Sequence, residues 1–582
     1  MNFNAVLKKN WIFKKFDNNQ VTKISEKFSL KEITSRLLAI RNINFEEIEL
    51  FLNPSIKNTM PNPFSINDME NAVSRIVKSI DDKEIIAIFG DYDVDGAAST
   101  ALLGKYFSEI KQNFITYIPD RKKDGYGPSI NSFNDLIKKG PKVIITVDCG
   151  TSSYDAIEYA QSKGVDVIVL DHHQSLINLP IAHSIVNPNR LDDKSNLEYL
   201  CASGVCFMFL SGLNSTLRKN NWFNKNKAIE PNIINYLDLV CLGTICDVVP
   251  LSGLNRAIVA QGLKIIKKRK NVGLKTLYDL CKIESKPSTY HVGFMIGPRI
   301  NAGGRVGKSH YGAELLMSSD NKHSYKIAKD LDNFNKERQH IENELLKKVE
   351  DEALNFQNDP ILVLSGTDWH EGIIGIVASR IKDKYHKPTF LISLNKTEGK
   401  GSARSIYGFD LGSSIISAVQ LGLLEKGGGH KMAGGFSIKV NKISEFKDFL
   451  IKRFNKIDLK EHKSNNLYLD AVLSASALNE NFYNDIDLLS PFGPSNNEPT
   501  FVIEDIKIVN STLIANKHIK TIMTSKNGLT IKGIAFNSKG SILEGYLSKN
   551  YKKKVHVAGK MTLNEYNGKK NIEFIIQDVA TS

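Results

Sequence analysis

Four short stretches of this chain bring carboxylates and imidazole together at spacings suited to divalent-cation chemistry. Gly90-Asp91-Tyr92-Asp93-Val94-Asp95-Gly96 follows the apolar run Ile85-Ile86-Ala87-Ile88-Phe89. Asp148-Cys149-Gly150 follows Val143-Ile144-Ile145-Thr146-Val147, and Asp171-His172-His173 follows Val167-Ile168-Val169-Leu170. Asp247 lies in Cys246-Asp247-Val248-Val249-Pro250. In an open α/β sheet, ligands bind outside the carboxyl ends of the strands. The expectation is therefore that each motif closes a strand and that all of them share one site. Asp93 and Asp95 put two carboxylates in a strand-to-helix turn, Gly96 lets that turn close tightly, and Asp91 adds a third. Such a loop can feed two adjacent cations, with Asp148 placed to bridge them, His172 adding a nitrogen and Asp247 closing the second shell. Two cations about 3.5–4 Å apart clamp the attacking and leaving oxygens of a phosphoryl displacement and acidify bound water. Mixed carboxylate and imidazole donors suit Mn²⁺, whereas Mg²⁺ prefers oxygen and water and is the plausible substitute. Singly, each motif reads more simply: Asp-x-Asp as a solvated turn, His-His as surface, Asp148 as the cap of the next helix. Their joint occurrence favours a metal site.

The elements that must position these residues alternate. Strands are expected at residues 114–118, 142–147 and 166–170, and helices at 97–110, 131–139 and 153–163. That alternation argues βαβ units around a parallel sheet, and the nearly unbroken apolar strands say that both faces are covered. A more helical stretch follows, at 201–217 and 232–243, with a polar insert around 218–231. Residues 331–354 form one periodic segment, with Leu331, Phe334, Ile341, Leu345 and Val349 among its apolar positions. Lying between two α/β regions, it is expected to be a bridging helix. A second α/β-like region spans roughly 360–455 and contains Gly427-Gly428-Gly429-His430-Lys431-Met432-Ala433-Gly434-Gly435. Beyond a polar joint near 460–466, five short β-rich runs separated by turn residues are compatible with a small OB-like barrel.

At 582 residues, about three compact units are expected. The net charge of +14 implies a polyanionic partner, although a basic balance can also serve solubility alone. The excess is uneven: residues 501–582 hold 13 lysines, no arginine and six carboxylates, a net of +7. Six cysteines form no C-x-x-C pair and mostly sit in apolar runs, as expected of reduced thiols in a reducing compartment. No stretch approaches the ~20 apolar residues of a membrane span, and Trp11-Ile12-Phe13 is too short for a signal-peptide core. A cytoplasmic protein without a membrane partner is expected.

GDYDVDG, VDCG, DHH and CDVVP together resemble the DHH phosphoesterase superfamily. Further strings narrow the resemblance. Ile118-Pro119-Asp120-Arg121, Gly297-Pro298-Arg299-Ile300-Asn301-Ala302-Gly303-Gly304-Arg305, Trp369-His370-Glu371-Gly372 and Lys400-Gly401-Ser402-Ala403-Arg404-Ser405 are similar to those of its bacterial single-strand-specific 5′→3′ exonucleases. The resemblance runs over nearly the whole chain. It implies an N-terminal lead-in packed on the core (1–80), a DHH domain (81–330), a bridging helix (331–355), a DHH-associated substrate domain (356–460) and an OB-like nucleic-acid-binding domain (464–582). It implies metal ligands at Asp91, Asp93, Asp95, Asp148, His172 and Asp247, with His173 behind them or on a phosphate. Catalysis is assigned to Asp148, His172 and His173. Where many relatives carry an upstream histidine this chain has Phe89, and Asp91 is the replacement ligand; which of Asp91, Asp93 and Asp95 serves which ion stays open. Phosphate contacts are expected from Arg121, Arg299, Arg305, Ser402, Arg404 and His430, since arginine forks match phosphate oxygens and glycine-rich backbone lets them approach.

The implied function is metal-dependent 5′→3′ degradation of single-stranded DNA in repair and recombination, with two Mn²⁺ or Mg²⁺ ions. A helicase and a single-strand-binding protein are possible partners. Two rivals stand beside it: a small-nucleotide phosphodiesterase or oligoribonuclease of the same superfamily, and a non-catalytic single-strand-binding relative. The basic C-terminal region argues against the first, because a dinucleotide needs no extended electrostatic track. The complete set of acidic motifs argues against the second.

Overall fold

The computed structural model describes residues 3–120, 125, 127–457, 465–548, 553–566 and 569–581. The chain forms two compact units: Met1–Ile300 with His310–Ala328 and Asn465–Ser582, and Asn301–Ser309 with Lys329–Ser464.

The first unit is built on five parallel strands: β1 (Ile86–Gly90), β2 (Phe114–Tyr117), β3 (Val143–Val147), β4 (Asp166–Leu170) and β5 (Ser184–Val186). Their order is β2-β1-β3-β4-β5, so the chain reverses direction across the sheet between β1 and β3. Such a switch point opens a crevice at the carboxyl ends of the strands. Helices α1 (Met69–Asp81), α2 (Val94–Glu109), α3 (Ile130–Ile137), α4 (Tyr154–Ser162), α5 (Ala202–Lys219) and α6 (Leu237–Cys246) surround it. Ala87, Phe89, Ile144, Val167 and Val169 point to the α3/α4 face, packed with Phe133, Leu136, Ile157 and Ala160. The other face meets α2 and α5. With both faces covered the strands are mostly apolar, which is why the sequence shows runs rather than alternation.

Helix α7 (Asn321–Ala353) has 33 residues and begins ten positions before the periodic segment read from sequence. It runs from the first unit into the second, which begins again at Lys329. The second unit carries β6 (Leu362–Thr367), helix α8 (Ile374–Tyr385), β7 (Thr389–Leu394), β8 (Glu398–Arg404), β9 (Lys426–Gly429) and β10 (Ala433–Lys439). The sheet order is β9-β10-β8-β7-β6, antiparallel except for β6 beside β7.

The C-terminal part of the first unit is a closed barrel of β11 (Phe501–Ile514), β12 (His518–Thr524), β13 (Thr530–Ala535), β14 (Val555–Tyr566) and β15 (Lys569–Thr581). Strand β11 pairs with β12 and β14, β13 with β12 and β15, and β14 with β15. Helix α9 (Ile542–Leu547) lies between β13 and β14 in the chain. Closure in this order, with β13 and β15 parallel, is the OB arrangement and leaves few strand edges exposed.

The N-terminal lead-in packs in two places. Helix α1 packs on α5 and β5, but Val21, Ile24, Leu37, Leu38 and Ile48 share a hydrophobic cluster with Phe501, Ile503, Val557 and Phe574 of the barrel. Asn4–Ala5 also pairs with the end of β15. The apolar face of these N-terminal helices is buried only because the barrel supplies the other half. Arg256 ties the barrel's lead-in to the rest of the unit. Its guanidinium lies 3.7 Å from the centroid of the Phe51 ring and donates to the carbonyls of Phe51 (2.8 Å), Leu489 (2.9 Å), Ser490 (2.9 Å) and Pro491 (3.2 Å).

Candidate metal centre and phosphate contacts

The sheet register places three aspartates on one rim. Gly90 pairs with Val147, and Val147 with Leu170. The next residues continue the ladder: Asp91 N donates to Val147 O (3.3 Å), Asp148 N to Leu170 O (3.1 Å) and Asp171 N to Val186 O (3.1 Å). Strand β1 then turns into α2. Asp93 caps that helix, its Oδ1 accepting from Asp95 N (2.9 Å) and Gly96 N (3.1 Å). Gly96 is required by close approach, since a Cβ there would stand 2.5 Å from Asp91 O. Asp148 takes a left-handed backbone, φ +62°, and α4 starts six residues later at Tyr154 with Ser153 before it.

Three overlapping ligand sets result: Asp91, Asp93 and Asp148; Asp95, His172 and Asp247; and Asp148, His172 and His173, each offering donor atoms within 4.8 Å of one another. His172 Nε2 lies 3.3 Å from Asp148 Oδ1 and 3.7 Å from Asp247 Oδ2. All six residues expected as ligands therefore occur in these sets, and Asp148 and His172 each belong to two. Phe89 is packed in the sheet core against Tyr117 and Phe133. Asp247 departs from expectation in one respect. It closes helix α6 rather than a strand, because the preceding apolar run is helical. A carboxylate at a helix C-terminus faces the negative end of the macrodipole. Val248 after it takes φ +61°, a conformation that costs a non-glycine residue on the order of 1–3 kcal/mol and concentrates at functional sites.

Burial and mutual repulsion dominate the electrostatics. The Asp148 carboxyl is raised well above its ordinary range, first by burial and then by Asp93, Asp95, Asp91 and Asp247. Burial, then Asp95 and Asp93, push Asp247 up to about 8. Asp95 is raised by burial although its oxygens accept from Ala202 N (2.6 Å) and Ser203 N (3.0 Å) at the start of α5. A cation relieves such crowding. The donor set, carboxylates with one imidazole nitrogen, fits Mn²⁺ and, with water, Mg²⁺.

Asp171 was not among the expected site residues. Its Oδ1 lies 2.8 Å from His173 Nδ1 and accepts from His172 N (2.8 Å), while Oδ2 accepts from Thr151 N (3.1 Å). Burial alone would lower the His173 pKa, but the hydrogen bond and charge of Asp171 outweigh it and push it up to about 9. Asn187 and Asn189 also escaped notice. Their side-chain amides donate to His173 O (2.8 Å) and His172 O (2.7 Å), fixing the loop. The signal available was Asn187-Pro188-Asn189 directly after Ser184-Ile185-Val186, one more strand end on the same rim.

The phosphate candidates separate. Arg121 lies outside the described residues. Arg299, in the first unit, donates to Met295 O (2.6 Å), and Arg305, in the second, to Gly372 O (2.8 Å). Ser402, Arg404 and the glycine run come together within the second unit. Ser402 pairs with Gly435, and Gly435 with Gly428, so a glycine surface runs across β8, β10 and β9. Gly375, in the first turn of α8, approaches so closely that a Cβ there would lie 2.8 Å from Ser402 Oγ and 3.2 Å from Arg404 Nη2. A serine, a guanidinium and a helix N-terminus thus converge, a combination that attracts anions. His430 is exposed in the β9–β10 turn, its N–H donating to Ala433 O (2.7 Å). In the barrel Phe536 is exposed, Tyr546 packs against the core, Tyr551 lies outside the described residues, and so does the side chain of Tyr566. Among the described residues no helix is long and apolar enough to cross a membrane.

Known proteins match in the same three blocks. Residues 85–244 match the DHH family N-terminal domain, 358–456 the DHHA1 domain and 469–578 the RecJ OB domain. The chain is 31% identical to the single-stranded-DNA-specific exonuclease RecJ of Bacillus subtilis (strain 168), covering 99% of this chain and 71% of that protein. It is 32% identical to the protein of the same name from Haemophilus influenzae, covering 97% and 98%. The crystal structure of RecJ in complex with Mn²⁺ from Thermus thermophilus superimposes with a TM-score of 0.80 at 25% identity, covering 98% of this chain and 79% of that one.

Proposed function

This chain belongs to the RecJ family of single-stranded-DNA-specific exonucleases, and from that premise we propose that it removes nucleotides from the 5′ end of single-stranded DNA at the rim of β1, β3 and β4. The observation that carries the reading is the pair of ligand sets joined by Asp148 and His172. Asp91, Asp93 and Asp148 would hold one divalent cation, and Asp95, Asp148, His172 and Asp247 a second. Bound there, Mn²⁺ or Mg²⁺ supplies acidified water and a charge clamp on the attacking and leaving oxygens.

The chain's own residues do the rest. Asp171 orients the imidazole of His173 and raises its pKa, which favours the ring form that would donate to a phosphate oxygen and stabilise the charge developing there. Ser402 and Arg404, beside the first turn of α8, take a terminal phosphate and set polarity; Arg299, Arg305, Arg121 and His430 contact further phosphates. Within this reading residues 81–330 carry the chemistry, 331–355 bridge, 356–460 hold the 5′ end and 464–582 grip the strand. A helicase that exposes single strands and a single-strand-binding protein are the partners such an activity calls for, in the cytoplasm, during repair and recombination.

The test is digestion of strands labelled at either end, with Mn²⁺, with Mg²⁺ and with chelator, beside a dinucleotide. Release of the 5′ label first, dependent on metal and faster on the long strand, is expected. Earlier release of the 3′ label, or preference for the dinucleotide, would overturn it.

A further inference from the structure

Resting on that reading, we infer that Tyr290 and Phe294 form a shelf on which bases of the single strand stack as it passes from the barrel side of the unit to the metal centre. The two side chains are 61% and 73% exposed, yet they are ordered against each other, with ring centroids 5.3 Å apart and planes inclined by 25°. The reverse face of their segment is anchored by Val292 and Ile296, both buried. A rigid, exposed aromatic pair loses little entropy when it binds.

The segment's two ends explain its place. At one end Thr289 Oγ1 donates to Phe492 O (2.9 Å), and Lys286 Nζ lies 3.4 Å from Asp487 Oδ2. These partners belong to the stretch that leads into the barrel. At the other end the Cys246 thiol donates to Val292 O (3.8 Å), and Gly297 sits so close that a Cβ there would stand 2.5 Å from Cys246 Sγ. Cys246 immediately precedes Asp247. The segment therefore connects the barrel's lead-in with the helix that delivers a candidate ligand. His291–Ile296 is wound as a π turn, a rare form frequent at functional sites.

Charge and chemistry select the occupant. Lys286 and Arg299 flank Tyr290 and Phe294 at steps of four and five residues, combining cations with aromatics as single-strand binders do. Every base has a π-face, so such a shelf works on any sequence, as an exonuclease requires.

The test uses the full chain with chelator, so that binding is read without cleavage. A 5′-phosphorylated oligonucleotide of about 16 nucleotides, the upper end of barrel site sizes, is titrated by fluorescence anisotropy, intact and with a single abasic residue moved along it. For the wild type, one or two abasic positions should weaken binding about tenfold, equivalent to ~1.4 kcal/mol. Phe294→Ala and Tyr290→Ala should weaken the intact strand to a similar extent and lose the sensitivity at those positions. Phe294→Trp should keep it. Phe294→Leu retains apolar bulk without a π-face, and melting curves matching the wild type exclude a folding defect. Unchanged binding by the alanine variants, as expected if the pair instead faces a protein, overturns the shelf, as does undiminished abasic sensitivity in them. Failure of the nuclease reading would appear separately, as absent cleavage of labelled strands by the wild type with metal.

Discussion

His172 Nε2 lies 3.3 Å from Asp148 Oδ1 although the two residues follow different strands. The contact exists because Val147 and Leu170 pair directly across β3 and β4, so the chain leaves the sheet at the same height on both. Asp91 joins them because Gly90 pairs with Val147 on the other side.

The first prediction concerns these shared donors. Asp148→Ala or His172→Ala is expected to lower exonuclease turnover at least ~10³-fold, since metal clamping contributes several kcal/mol to the transition state. Affinity for single strands in chelator should stay near that of the wild type, because grip and chemistry use different residues. Near-normal cleavage by either variant would remove the two-ion assignment.

Metal loading should stabilise the first unit. A cation at a hundred times its Kd contributes about 2.7 kcal/mol, which thermal melting with Mn²⁺ and with chelator will register as a rise of several degrees. Asp148→Asn is expected to melt higher than the wild type in chelator, because it removes a buried charge crowded by Asp93, Asp95, Asp91 and Asp247. The same variant should show little response to Mn²⁺. A full metal response in it would place the ions elsewhere.

Arg404→Ala should reduce the preference for 5′-phosphorylated over 5′-hydroxyl ends by roughly 10–100-fold, the range of a charge-assisted hydrogen bond. Competition between the two substrates in one digest measures it. An unchanged ratio would mean that Arg404 holds another phosphate or none.

Strand grip by the barrel should be tested with point substitutions rather than by truncation near residue 463. The lead-in helices share their core with the barrel, and Arg256 spends its donors on the barrel's lead-in, so truncation would expose apolar surface and strand a buried cation. Lys507, Lys532 and Lys553 are exposed. Changing all three to Gln should flatten the slope of log affinity against log salt by about 0.7 for each one that contacts a phosphate. An unaltered slope would place the electrostatic track at other residues.

Asp238, buried in the first turn of α6, is pushed up to about 6 by burial. A carboxyl raised on folding is protonated in both states at low pH. As pH rises from about 4 to 6 the unfolded chain ionises first, so stability falls across that window and levels above it. The accumulated cost is on the order of 3 kcal/mol. Asp238→Asn should therefore raise the melting temperature at pH 7 and leave it nearly unchanged at pH 4. Equal effects at both pH values would show that ionisation of this group is not what is being relieved.

The sequence by itself determined the parallel strands and which residue types follow them. Short β-branched runs such as 143–147, closed by a carboxylate and glycine, read as buried strands opening into a polar rim. It also determined the basic, strand-rich C-terminal region, although three of the five strands expected to be short run to 14, 12 and 13 residues. These are local properties, carried by composition over five to ten residues. Only the tertiary structure decided that Asp247 reaches the rim from a helix end, that Asp171 holds His173, and that residues 21–48 complete the barrel's core. The first and the last depend on segments distant in the chain; the Asp171–His173 contact spans two residues, but its loop is held by Thr151, Asn187 and Asn189. Parallel pairing needs a crossover of a dozen or more residues, so its register is set by how helices pack across the sheet, and no local pattern records it.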